Sequence, residues 1–157
     1  METHKIIPAT ADHAQFIAAT IRPADREEMW AACLQTPSDA IRMGMEASDT
    51  VLTAMVHDRP VAMWGVVKES LIGNVGTPWM VASFLIDDEA RTFLRHCRGP
   101  VMELLSQYDT LENHVDARNV RSIQWLRWLG FTIEEPKEYG VFKLPFHKFW
   151  MKREANV

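Results

Sequence analysis

The chain has 157 residues and a mass of 18.0 kDa, enough for one domain with its own core and too little for a second. Hydrophobic residues at 47% and charged residues at 24% exclude a disordered tail, a collagen-like repeat and a heptad rod. A net charge of −4, from 17 Lys plus Arg against 21 Asp plus Glu, excludes a broad electrostatic grip on nucleic acid or anionic lipid and leaves room only for a local basic patch.

Residues 4–8 read as a first short strand. Thr10 caps a helix whose Phe16, Ile17 and Ile21 recur at helical spacing and which ends before Arg22-Pro23. Pro23 opens a second helix through about Leu34, with Asp25, Glu27 and Glu28 near its positive end. Thr36-Pro37 repeats that start for a third helix through Ala47, with Ile41 and Met45 on one face. The period then falls to two: 51–56 and 61–67, joined by His57-Asp58-Arg59-Pro60, predict a hairpin. Gly73 and Gly76 place a loop over 68–78, after which 79–86 reads as a central strand buried on both faces. Helix signals run from 87 to 108 with a break at Gly99-Pro100. Residues 111–115 form a strand, 119–129 a helix ended by Gly130, 131–133 a short strand and 147–152 the last one. This order predicts one α/β (α+β) domain over 1–157, a mixed sheet with helices on both faces.

Cys33 and Cys97 lie in no CxxC and near no Cys/His cluster with zinc spacing, so both read as buried thiols of a reducing cytoplasm, with no metal expected. No apolar run approaches the roughly 18 residues of a membrane span. The start, Met-Glu-Thr-His-Lys, lacks the basic and apolar regions of a secretory leader, so the chain is expected to stay in the cytoplasm.

The run Asn119-Val-Arg-Ser122-Ile-Gln-Trp125-Leu126-Arg-Trp-Leu-Gly130-Phe131 resembles the pattern N-x-x-A-x-x-F-Y-x-x-x-G-F of the Gcn5-related N-acetyltransferase (GNAT) family, with the same spacing at its anchors. Tyr108-Asp109-Thr110-Leu111, with Asn113, Val115 and Asn119, resembles the internal virion protein A family of short-tailed phages, which are small GNAT-like proteins. The resemblance implies a mostly antiparallel central sheet of about six to seven strands. It also implies acetyl-coenzyme A bound where the fourth and fifth strands splay, its pyrophosphate on the backbone N–H groups opening the next helix. Such amides and the helix dipole attract phosphate without a metal. In the family the phosphate loop reads Q/R-x-x-G-x-G/A; the register that fits here is His96-Cys97-Arg98-Gly99-Pro100-Val101. Two readings of that stretch stand. In one, Pro100 sits in a first helical turn and leaves the amides after it free for phosphate; in the other, it marks a helix kink with a solvated basic face. The cofactor contacts implied are Arg98, Gly99, Val101, Met102, Ser83, Asn119 and Ser122.

The tyrosine with which many family members reprotonate the leaving thiolate aligns with Leu126, which has no proton to give. Direct transfer to an amine also needs a base and a donor that polarises the thioester carbonyl. Glu112, His114 and Asp116 share one face of the 111–116 strand, and Glu112 with His114 are the candidate base and its orienting partner; the alternative is a solvated polar edge. Asn113, on the other face, is either a buried amide satisfied by backbone or a group facing the cleft. Asn119 and Ser122 also read as an ordinary N-cap and third helical residue. Asp25, Glu27 and Glu28 border the acceptor side, where they either hold an amine or simply stabilise their helix. Trp125, Trp128 and Trp150 serve as core or as interface anchors. Two functional readings follow. One is a phage-encoded, acyl-coenzyme A-dependent N-acyltransferase acting on an unidentified amine in the host cytoplasm. The other is a non-catalytic internal virion or assembly protein with a degenerate cofactor site, packaged beside phage virion proteins and binding no nucleic acid directly.

Overall fold

The computed structural model describes residues 3–70 and 72–153; Met1 and Glu2, where the leader reading begins, lie outside them. Strand β1 (His4–Pro8) leads into α1 (Ala11–Ala19), α2 (Pro23–Cys33) and α3 (Pro37–Ala47). Each helix start has its local cause. The Thr10 hydroxyl accepts from the His13 N–H, Pro23 and Pro37 take first-turn positions, and the Thr36 hydroxyl accepts from the Asp39 N–H. The antiparallel strands β2 (Ser48–Val56), β3 (Arg59–Lys68) and β4 (Val75–Ala82) follow. Then come α4 (Ile86–Leu105), β5 (Thr110–Asp116), α5 (Val120–Leu129), β6 (Thr132–Ile133), β7 (Lys137–Tyr139) and β8 (Leu144–Lys152).

The sheet order is β1-β2-β3-β4-β5-β8-β6, with β7 also on β8, giving eight strands among the described residues, one more than the upper expectation. The added strand is β7, three residues long and too short to show a period. β4 with β5 is the parallel pair; the others are antiparallel. On one face Ala54, Trp64, Val66, Phe93, Cys97, Val101, Leu111 and Ile123 form the main core beneath α4 and α5. On the other, Ile17 and Ile41 close a smaller core over Met63 and Val81.

Three expectations are corrected. The central strand spans 75–82 and not 79–86, because its pairing with β3 already begins at Lys68 opposite Gly76. α4 runs without interruption through Gly99-Pro100. Proline removes one intrahelical bond, yet the buried stripe of Phe93, Cys97, Val101 and Leu104 continues across it, and burial of that stripe outweighs the break. Cys97 is buried, its thiol pushed up to about 12 by burial, while Cys33 is exposed.

Candidate functional site

β4 and β5 touch as a ladder at only two positions, Val75 with Thr110 and Gly76 with Leu111, and then diverge. The Ser83 N–H donates to Val61 O. By alternation, residues 79 and 81 bond to β3, and the backbone groups of Pro78, Met80 and Ala82 face the opening. Two of these are closed by side chains. Asn113 Nδ2 donates to Pro78 O at 2.8 Å, and the Ala82 N–H donates to Asp25 Oδ2 at 3.1 Å. Between them, the N–H and C=O of Met80 point into the opening beyond the β4–β5 ladder, with no side-chain partner among the described residues.

A cavity of about 530 Å³ passes through this opening. Its α2 and α3 side is lined by Glu28, Met29, Cys33, Met43, Trp79, His114 and Tyr139, and its α4 and α5 side by Met80, Val101, Leu105, Ser122, Trp125 and Leu126. Glu28 is the notable titratable group here. Its Oε1 accepts from the Asp116 N–H at 2.8 Å, and burial pushes its carboxyl up to about 8. Burial likewise raises Asp25, against the pull of Arg22.

The amides that open α4 are already committed. The Ser83 N–H bonds Val61 O, Phe84 N–H bonds Thr20 O, Leu85 N–H bonds the Ser83 hydroxyl, and Ile86, Asp87 and Asp88 bond the carbonyls of Ser83, Phe84 and Leu85. The first turn carries Asp87, Asp88 and Glu89. Three carboxylates suit the helix dipole and disfavour a diphosphate; Asp87 is paired with Arg121, and Glu89 lies 4.0 Å from His4 Nε2.

The sequence-derived cofactor residues scatter over this frame. Arg98, Gly99, Val101 and Met102 lie in mid-helix and do not form a phosphate loop. Arg98 sits 5.1 Å over the Trp128 ring, a Cβ on Gly99 would meet nothing within 4 Å, and Val101 is core. The register was misplaced because the β4–α4 turn contains no glycine to mark it. Ser83 is buried in that turn, and Ser122 lines the cavity. Asn119 makes no side-chain cap; its Nδ2 instead donates to Asp25 Oδ1 at 3.2 Å and Glu28 Oε1 at 3.4 Å. Glu112 and His114 share a face but are not joined among the described residues. Glu112 pairs with Lys148 at 3.6 Å, and His114 stacks on Tyr139 at 4.1 Å, its pKa lowered by burial and then by Lys148. Asn113 unites its two readings, lining the cavity while satisfied by Pro78 O and its neighbour's N–H. Glu28, read from the sequence as an amine holder or a helix stabiliser, was not among the candidate bases. The acids of its segment stood out, but nothing local shows that a helical acid reaches a strand end 88 residues away.

Eight strands with a parallel β4/β5 pair that splays over a through-sheet cavity form a recognisable arrangement. Over 99% of this chain and 97% of the other, the structure superposes on yncA of Salmonella typhimurium with its cofactor acetyl-CoA, at a TM-score of 0.70 and 16% identity. The chain has the GNAT fold. A GCN5-related N-acetyltransferase from Kribbella flavida matches at TM-score 0.68 and 14% identity over 97% and 99% of the two chains. Spermidine N-acetyltransferase from Vibrio cholerae, in complex with CoA and spermine, matches at 0.66 and 11% over 97% and 96%. No protein-family model and no curated protein matches the sequence. Measured against the acyl-coenzyme A that GNAT folds imply, the two ends of this site differ. The splayed strands and the Met80 amide fit an acyl-pantetheine arm, whereas the closed amides and three acids at the start of α4 do not fit a pyrophosphate. No helix among the described residues is long and apolar enough to cross a membrane.

Proposed function

We propose that this chain uses the GNAT fold for recognition, receiving a partner's group in the β4/β5 cleft, and does not grip acyl-coenzyme A. The start of α4 carries this reading. Every backbone N–H from Ser83 to Asp88 is bonded within the chain, and the turn that would face two phosphates presents Asp87, Asp88 and Glu89. Binding a diphosphate there would break those bonds and bring like charges together. The resemblance at residues 107–131 supports virion proteins of a short-tailed phage as the partners, and hence a role in the particle or its assembly in the host cytoplasm.

Calorimetry and thermal shift with coenzyme A and acetyl-coenzyme A at millimolar concentration test this, because a ligand that prefers the folded state must stabilise it. Neither heat nor a rise in Tm is expected. A clear binding isotherm would overturn the reading and favour the second one, an N-acyltransferase acting on an amine. Specific observations favour that alternative as well: the Met80 N–H at the splay, placed to polarise a carbonyl, and Glu28 with a pKa near 8 in the same cavity. In it, Glu28 or His114 takes the amine proton, and a polyamine such as the one bound by the Vibrio cholerae neighbour is the acceptor to assay first. Purified phage particles that lack the chain would count against the virion role.

A further inference from the structure

Diverging strands leave backbone groups without a ladder, and a buried unpaired amide is costly. In this chain the remedy at the far end of the opening comes from α2. Asp25 Oδ2 accepts the Ala82 N–H of β4 at 3.1 Å, and one turn later Glu28 Oε1 accepts the Asp116 N–H of β5 at 2.8 Å. The Asn119 side chain, 1% exposed, ties both carboxylates together, and Arg22 Nη1 donates to Asp25 Oδ1 at 3.0 Å. The apolar anchoring of α2 is modest: Ala31 is buried and Met29 packs against the smaller core, while its start has no side-chain cap and Trp30 is exposed.

We propose that α2 is a strap, in which Asp25 on β4 and Glu28 on β5 hold the diverging strand ends at a fixed separation and keep the cleft shaped without any ligand. The strap is sensitive to protons. Glu28 faces Asp25 on its own helix and Asp116 on β5, with Asp87 of α4 acting on Asp25. Arg22 is engaged by Asp25, and Arg118 by Asp116 and Glu27. A second negative charge on Glu28 thus has no cation of its own; a carboxylate accepts the Asp116 N–H more strongly than a carboxyl does, but the cost of keeping that charge buried outweighs this and favours opening, so ionisation loosens the β5 end first.

Amide hydrogen exchange on the full chain, without ligand, tests this separately from any coenzyme A result. In wild type, the Asp116 and Ala82 amides should be protected at pH 6. Between pH 6 and 9, after correction for intrinsic rates, Asp116 should lose about tenfold of its protection while the neighbouring Val115 amide, held by β8, keeps its own. E28Q should abolish that pH dependence. E28D, an acid too short to span the gap, should leave Asp116 weakly protected at both pH values with Val115 unchanged. A pH response shared equally by Val115, or Asp116 protection indifferent to E28Q and E28D alike, would overturn the strap.

Discussion

The two ends of the β4/β5 seam are held by different chemistry. At the paired end, the backbones of Val75 with Thr110 and Gly76 with Leu111 lie side by side. Gly76 is packed so tightly that a Cβ would come within 2.5 Å of Val66 Cγ1 and 2.8 Å of Tyr108 Cδ1. Beyond that end, among the described residues, the same two strands are joined through side chains, Asn113 directly and then Asp25, Glu28 and Asn119 at the open end. A backbone ladder does not depend on charge, so the paired end is sensitive to volume and indifferent to pH. A carboxylate closure is the reverse, because its strength changes with each proton and each missing atom.

The sharpest way to break this contrast is Asp25→Ala, which leaves Arg22 and the Ala82 N–H buried without their acceptor and should cost about 4 kcal/mol in urea unfolding. pH comes next. The folded chain keeps the Glu28 proton up to about 8, while the unfolded chain releases it near the ordinary carboxyl value of 4.5. The contribution is therefore complete below the lower value, declines as pH rises between the two, and is flat above. Wild type should lose roughly 2 to 3 kcal/mol relative to Glu28→Gln between pH 5 and 9, and equal slopes for both proteins would remove the contrast. Gly76→Val should cost about 2 kcal/mol by overpacking, with the same loss at either pH. Trp128→Ser should cost about 1 kcal/mol, since the residue is 45% exposed but its ring stacks on Trp125 and lies under Arg98; a loss as large as that of Asp25→Ala would mean that the α4/α5 surface is part of the core.

Most elements were legible because their signals are local. Thr10, Thr36 and Gly130 mark helix ends where the structure has them, and alternation marks the β2–β3 hairpin. Where local and tertiary signals conflict, burial wins, as in α4, whose stripe overrides Gly99-Pro100. The site was much less legible. Asn119 matches an N-cap by type and a cofactor position by resemblance, yet its partners are acids 94 and 91 residues earlier in the chain. No period or motif encodes that meeting. It depends on where two strands part.

The wall of the cleft beside α3 has a consequence of its own. The Trp79 indole lies where a Cβ on Gly44 would be 2.9 Å from its Cε2 and one on Gly65 would be 3.1 Å from its Cζ2, and its Nε1–H donates to Ser48 Oγ at 2.9 Å. One ring thus sets the bore of the cleft, and two absent side chains, from a helix and a strand, form its socket. The three positions are sterically coupled. In a library selected for a wider cleft, Trp79 should be replaced first, and Gly44 should accept a larger residue only after it has gone, while Gly65, whose Cβ would also lie 3.1 Å from Thr50 O, should stay glycine.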